Sequence, residues 1–264
     1  MSGETRPRTI CHQEIVMGTV VTIDLFAEDG VSPAAALPHL ARAVTALHRA
    51  DKVFSTWKPT SALSRLRRGE ISLGEAPPEV AEVLAACRSA RELSGGWFDP
   101  WARPGGVDPT GLVKGWAAER ALDELRDAGL DGAMVNAAGD IATFGGPSTH
   151  EVFRVGVVRP DEPMELACVV ELRGAIATSG TYERGAHLIN PRTGRRASEV
   201  ASASVVGPDL GLADALATAL SVGGDAVLER VAAIEGYEAF TIGHLGQRRS
   251  TSHFPFAHQV GADA

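Results

Sequence analysis

The residues predict an α+β fold, and three observations carry that prediction. Segments rich in β-branched residues recur along the chain, and stretches with apolar residues at helical spacing lie among them. The two kinds do not alternate in the strict strand–helix–strand order of a doubly wound sheet. In chain order, EIVMGTVVTIDLFA (14–27) reads as an opening strand or a long hairpin arm. The spacing predicts a helix over 32–54, with Ser32 as its cap, and then a polar loop, STWKPTSALSRLRRGE. A second helix over 77–96 has proline at its start and glycines at its end, and a third runs over 114–129. AMVNAAGDIATFGG (133–146) is a strand with a tight glycine turn, and FRVGVVR, ACVVELRG, AIATSG and ASASVVG are further strands. A helix opens at 211 with GLADALATAL, GDAVLERVAAIEGY is another, and EAFTIG is a last strand. The expected organisation is an N-terminal arm over 1–13, one domain over 14–246, and a polar, irregular tail over 247–264.

The 264 residues suffice for a large core in one domain or two interlocked subdomains, and 44% hydrophobic with 22% charged residues is a globular balance. A net charge of −8 argues against general nucleic-acid binding, which requires a basic surface. The start, MSGETRPRTICHQEIVMGT, shows no apolar core of a signal peptide or lipoprotein signal, and no apolar run is long enough for a membrane span. Cys11, Cys87 and Cys168 form no CxxC pair, so a cytoplasmic location is expected.

Four segments carry candidate chemistry. In VDPTGLVKGWA (107–117) a turn runs into a helix with Lys114 near its start, where the helix dipole disfavours a cation; either Lys114 lies in solvent or an acidic or phosphate partner faces it. VNAAGD places Gly139 and Asp140 at a turn, which reads first as an ordinary hairpin turn. ATSGTYERGAHLINPRTG gathers hydroxyls, glycines and arginines around His187, in a composition suited to phosphate. Asp214 and Thr218 are four residues apart and share a helix face. Alone they read as a polar stripe facing solvent; together with a further oxygen donor they would be hard ligands for a cation.

In this order the segments resemble the ApbE family, the FAD:protein FMN transferases. Met17-Gly18-Thr19, FSTWKPTSALSRL (54–66), GGWFDP (95–100), VDPTGLVKGWA, VNAAGD, ATSGTYERGAHLINPRTG and ADALATAL are each similar to one of its motifs, over roughly 14–224. The resemblance implies an ApbE-like fold, with mixed or antiparallel sheets and packed helices in two interlocked subdomains. It implies transfer of the FMN half of FAD to a Ser or Thr hydroxyl of a target flavoprotein, with Mg²⁺ present and AMP released. The implied metal ligands are Gly111 (backbone oxygen), Asp214 and Thr218. The implied FAD contacts are Met17, Trp57, Trp97, Phe98, Asp99, Asp108, Lys114 and Ile189. His187 is the candidate to orient or deprotonate the acceptor hydroxyl, with Asp214 as its rival.

The sequence departs from the family pattern at four places. The connection from Asp99 to Asp108 is short, Pro109-Thr110 replaces Leu-Gly, Ala138 replaces a glycine, and Trp57 stands for the usual Tyr. Two other readings of the same site stay open, an Mg²⁺-dependent FAD pyrophosphatase and a non-catalytic FAD-binding protein.

Overall fold

The computed structural model describes residues 8–27, 33–102, 105–180, 188–196 and 199–259. Strands β1 (Arg8–Val16) and β2 (Thr19–Ala27) form a hairpin closed by Met17-Gly18, followed by helices α1 (Pro33–Phe54), α2 (Ala62–Arg67), α3 (Pro78–Leu93) and α4 (Thr110–Asp123). Next come strands β3 (Gly132–Ala137), β4 (Asp140–Gly145), β5 (Phe153–Val158), β6 (Leu166–Leu172), β7 (Ala175–Gly180) and β8 (Ser202–Gly207). Helices α5 (Leu210–Gly223) and α6 (Asp225–Val231) precede β9 (Glu238–Ile242), β10 (Arg248–Ser250) and β11 (Phe256–Gln259). Every strand pairing is antiparallel. An eight-stranded sheet has the order β1-β2-β3-β4-β7-β8-β9-β10, and a three-stranded sheet has the order β11-β6-β5. The β5–β6 hairpin is thus an excursion between two strands, β4 and β7, that pair with each other.

Strand alternation gives the large sheet two buried faces. On one face Ala137, Ala142, Ala175, Ala177, Ala203 and Ala239 meet the helices in the main core. On the other, Ile141, Ile176, Val206, Phe240 and Ile242 meet Phe153, Val157, Val170 and Leu172 of the small sheet in a second core. Small residues on the helix side let the helix axes come close to the sheet, while bulky ones fill the gap between the sheets.

The arrangement matches the α+β expectation, and five local expectations are corrected. Residues 8–13, read as part of an N-terminal arm, belong to β1 and pair with β2 in the large sheet. The polar loop after α1 contains α2, whose Ser61 caps it by accepting from Ser64 N–H at 3.0 Å. Helix α4 starts at Thr110, ahead of Lys114, and the helix read from GDAVLERVAAIEGY stops at Val231. The residues after Gln247 are not irregular: β10 extends the large sheet, and β11 completes the small one while Phe254 joins the second core. Among the described residues no helix is long and apolar enough to cross a membrane.

Helix α5 is apolar on nearly every side and lies in the main core, as a helix without a polar face must. It packs antiparallel against α4, with Gly111 beside Thr218, Gly115 beside Asp214 and Leu210, and Glu119 beside Leu210. Each step is about one turn on either helix. Gly115 permits this closeness, because a Cβ there would collide with the Leu210 carbonyl. Glu119 then serves as a cap in trans: its Oε2 accepts from Leu210 N–H at 2.8 Å, while the helix's own cap, Asp209, accepts from Leu212 N–H at 2.6 Å.

Burial, and then the charge of Asp209, push the Glu119 carboxyl up from 4.5 to about 7. Its folded form prefers the proton, so its contribution to stability is complete below about pH 4.5 and is lost as pH rises through about 7. Glu119→Gln keeps an acceptor for Leu210 without the charge. The thermal midpoint of this variant is expected to fall less than that of the parent between pH 5 and pH 8; parallel profiles would contradict the assignment.

Candidate active site

Both hairpin turns, Met17-Gly18 and Ala138-Gly139, lie at one end of the large sheet, since β2 pairs antiparallel with β3 from Val21↔Ala137 onward. The end of β7 reaches the same edge, and a cleft opens there against α4 and α5. It is lined by Trp97, Phe98, Asp99, Pro100, Asp108, Thr110, Gly111, Lys114, Ala138, Thr178, Ser179, Gly180, Leu188, Ile189, Asp214 and Thr218. Nine of the residues proposed from sequence therefore meet in one place: Trp97, Phe98, Asp99, Asp108, Gly111, Lys114, Ile189, Asp214 and Thr218. Met17 is packed at the edge of the main core and Trp57 is 92% exposed; neither lines the cleft. His187 lies outside the described residues, although Gly180 and Leu188 on either side of its segment both line the cleft.

Asp214 and Thr218 do not form a stripe facing solvent. Asp214 is only 6% exposed, and its Oδ2 lies 3.4 Å from Gly115 N and 3.9 Å from Lys114 Nζ. Gly111 departs from helical geometry inside α4 (φ −80°, ψ 15°), which turns its peptide out of the helical register. A Cβ on it would stand 3.3 Å from both Thr218 Oγ1 and the Phe98 ring. The Asp214 carboxylate, the Thr218 hydroxyl and the non-helical backbone of Gly111 thus all line the cleft. Carboxylate, hydroxyl and backbone carbonyl are hard oxygen donors, the kind Mg²⁺ takes while keeping several waters. Among the described residues no group of three or more His, Cys, Asp and Glu is placed to hold a metal ion.

The partner that Lys114 requires is Asp140, which was read from sequence as a turn residue. Asp140 is fully buried, forms an ion pair with Lys114, and accepts from Thr178 N–H through Oδ1 at 3.1 Å. The signal for it lay in Lys114 itself, a cation in the first turns of a helix. Asp108 Oδ1 accepts from Thr110 N–H at 3.2 Å and from its hydroxyl at 2.7 Å, so Thr110, one of the departures from the family pattern, fixes this carboxylate.

The described residues of the short connection after Asp99 are tied down by backbone contacts. Asp108 N–H donates to the Pro100 carbonyl at 2.8 Å, and Arg67 of α2 donates to the Gly105 carbonyl at 2.8 Å. Asp99 is held between Arg91 Nε at 2.8 Å and Trp101 N–H at 2.9 Å. The Arg192 guanidinium lies 4.0 Å from the centroid of the Trp97 ring and donates to the Gly95 carbonyl at 3.2 Å.

Comparison with known proteins places the chain. Residues 17–105 and 102–241 match the ApbE family model, and the chain belongs to the ApbE family. It is 35% identical over 142 residues to the FAD:protein FMN transferase of Rhodobacter capsulatus, covering 50% of this chain and 27% of that protein. With the FAD:protein FMN transferase of Vibrio cholerae it shares 32% over 130 residues, 45% of this chain and 39% of that one. The matched segments thus span less than half the length of these relatives. Its fold is similar to the flavin transferase ApbE from Vibrio cholerae (TM-score 0.79, 20% identity, 93% of this chain and 98% of that one). It is similar also to the ApbE protein from Thermotoga maritima (TM-score 0.81, 21% identity, 93% and 97%).

Ala138 has φ +53°, followed by Gly139 at +92°, the positive-φ pair that closes a two-residue hairpin. Asn136 Oδ1 steadies the turn by accepting from Gly139 N–H at 2.8 Å. An L-residue in this region costs about 1–2 kcal/mol, while glycine loses about 0.4–1 kcal/mol more chain entropy on folding. Ala138→Gly is therefore expected to raise stability by about 0.5–1 kcal/mol, read as a higher urea midpoint at unchanged slope; a lower midpoint would show no strain at Ala138.

Proposed function

We propose that the chain is an FAD:protein FMN transferase, which moves FMN from FAD onto a Ser or Thr hydroxyl of a target flavoprotein with release of AMP. The observation that carries this reading is the antiparallel register of α4 and α5, which sets Gly111 on Thr218 and Lys114 beside Asp214 in one cleft. Family membership and the names of the matched relatives support it.

In this reading Gly111, Asp214 and Thr218 hold Mg²⁺, which when bound supplies charge neutralisation to a diphosphate. The remaining work falls to the chain. The Trp97-Phe98-Asp99 segment, Asp108 and Ile189 position FAD, with Phe98 buried behind Gly111 as a fixed backing. Lys114 adds a cation near the phosphates, and Thr178, Ser179 and Gly180 offer polar groups from the opposite wall. Met17 and Trp57 would meet only a part of the dinucleotide that extends beyond the cleft. The acceptor hydroxyl comes from the partner protein, and His187 is assigned to orient or deprotonate it, with Asp214 the rival for that task.

The test is incubation with FAD and Mg²⁺, with and without a flavoprotein carrying an acceptor Ser or Thr, followed by intact mass and product analysis. A target heavier by one FMN residue, with AMP released, is expected. FMN and AMP without adduct would make the protein a pyrophosphatase, and unchanged FAD would make it a binder. Asp214→Ala is expected to lower transfer by at least about a hundredfold with the circular dichroism spectrum intact; undiminished turnover would move the metal elsewhere. His187→Ala is expected to lower kcat more than FAD affinity, whereas a change confined to affinity would leave it a binding residue.

A further inference from the structure

Lys114 stands between two carboxylates of unequal standing. Asp140, the first residue of β4, is wholly buried and held from behind by Thr178 N–H, so its position is set by the sheet. It makes the direct ion pair with Lys114. Asp214, on α5, is left 3.9 Å from the same ammonium, beyond hydrogen-bond range. A cation that closed fully on Asp214 would occupy the carboxylate that the metal reading assigns to Mg²⁺ and would repel the ion. We propose that Asp140 is a positioning residue for the metal site: by holding Lys114 from the sheet side, it keeps the ammonium from closing fully on Asp214, the carboxylate assigned to the divalent ion.

This rests on the reading of Asp214 as a metal ligand, and it gives Asp140 a task that a turn or core residue would not have. Closing the gap to Asp214 takes a movement of only about 1 Å, to the usual charge-assisted distance. The long, flexible lysine stem allows that movement once its stronger partner loses its charge.

The experiment is titration with Mn²⁺ alone, following the unbound ion by electron paramagnetic resonance, with folding of each variant checked by circular dichroism. The parent is expected to bind and Asp214→Ala to lose binding; equal binding in those two would remove the metal reading itself, and the proposal with it. Asp140→Asn is expected to weaken Mn²⁺ affinity by about tenfold or more, because Lys114 then closes on Asp214. The double variant Asp140→Asn/Lys114→Met lacks the competing cation and is expected to return to parental affinity or better. Unchanged affinity in Asp140→Asn would overturn the proposal. So would a double variant as weak as the single one, since Asp140 would then merely support the fold. If Asp140→Asn does not fold, the double variant decides: affinity below the parent's sinks the idea.

Discussion

The missing side chain at Gly115 is the constraint on which the site depends. Because nothing stands between its Cα and the Leu210 carbonyl, α4 and α5 approach to backbone contact, and that contact fixes their mutual register. With the register set, Gly111 falls on Thr218 one turn in one direction and Glu119 on Leu210 one turn in the other. The Gly111–Thr218 contact and the trans cap are therefore two ends of one packing event. A slip by a single residue would rotate every one of these groups by about 100° around the helix axis and disperse them.

The sheet contributes the third fixed point. Its alanine-rich face admits the helix pair, and the end carrying the two hairpin turns brings the Thr178–Gly180 segment to the cleft, with Asp140 buried and bonded to Thr178 N–H. Packing layers and charge placement are thereby coupled: the same short side chains that let α4 lie close to the sheet let a lysine on α4 reach a buried aspartate on β4. A buried ion pair of this kind is an expensive way to stabilise a core, and its cation, Lys114, lines the cleft while its anion does not.

Much of this was legible in the sequence, for identifiable reasons. Long helices with regular apolar spacing and strands with β-branched runs announced themselves, and the four-residue spacing of Asp214 and Thr218 placed both on one helix face. What was not legible depends on partners distant in the chain. The strand Arg248–Ser250 is exposed throughout and has no pattern of its own; pairing with β9 makes it a strand. Helix α2 is too short to show a period and is held by its Ser61 cap and by Arg67 reaching Gly105. Asp140 looked like a hairpin corner because turn chemistry and a buried anion use the same residue, and only the position of Lys114 distinguishes them. The exposure of Trp57 was equally hidden, since an aromatic in a polar segment carries no sign of which way it faces.

The excursion of β5 and β6 between β4 and β7 has a consequence for biogenesis. During synthesis, β7 can zip onto β4 as soon as both have emerged, whereas the small sheet lacks its third strand until residues 256–259 arrive. Until then β6 presents an open edge, and the second core lacks Phe254. The nascent chain therefore carries its cleft-bearing helical layer well before it can seal the opposite side. In that interval its aggregation hazard is concentrated on the sheet face opposite the helices.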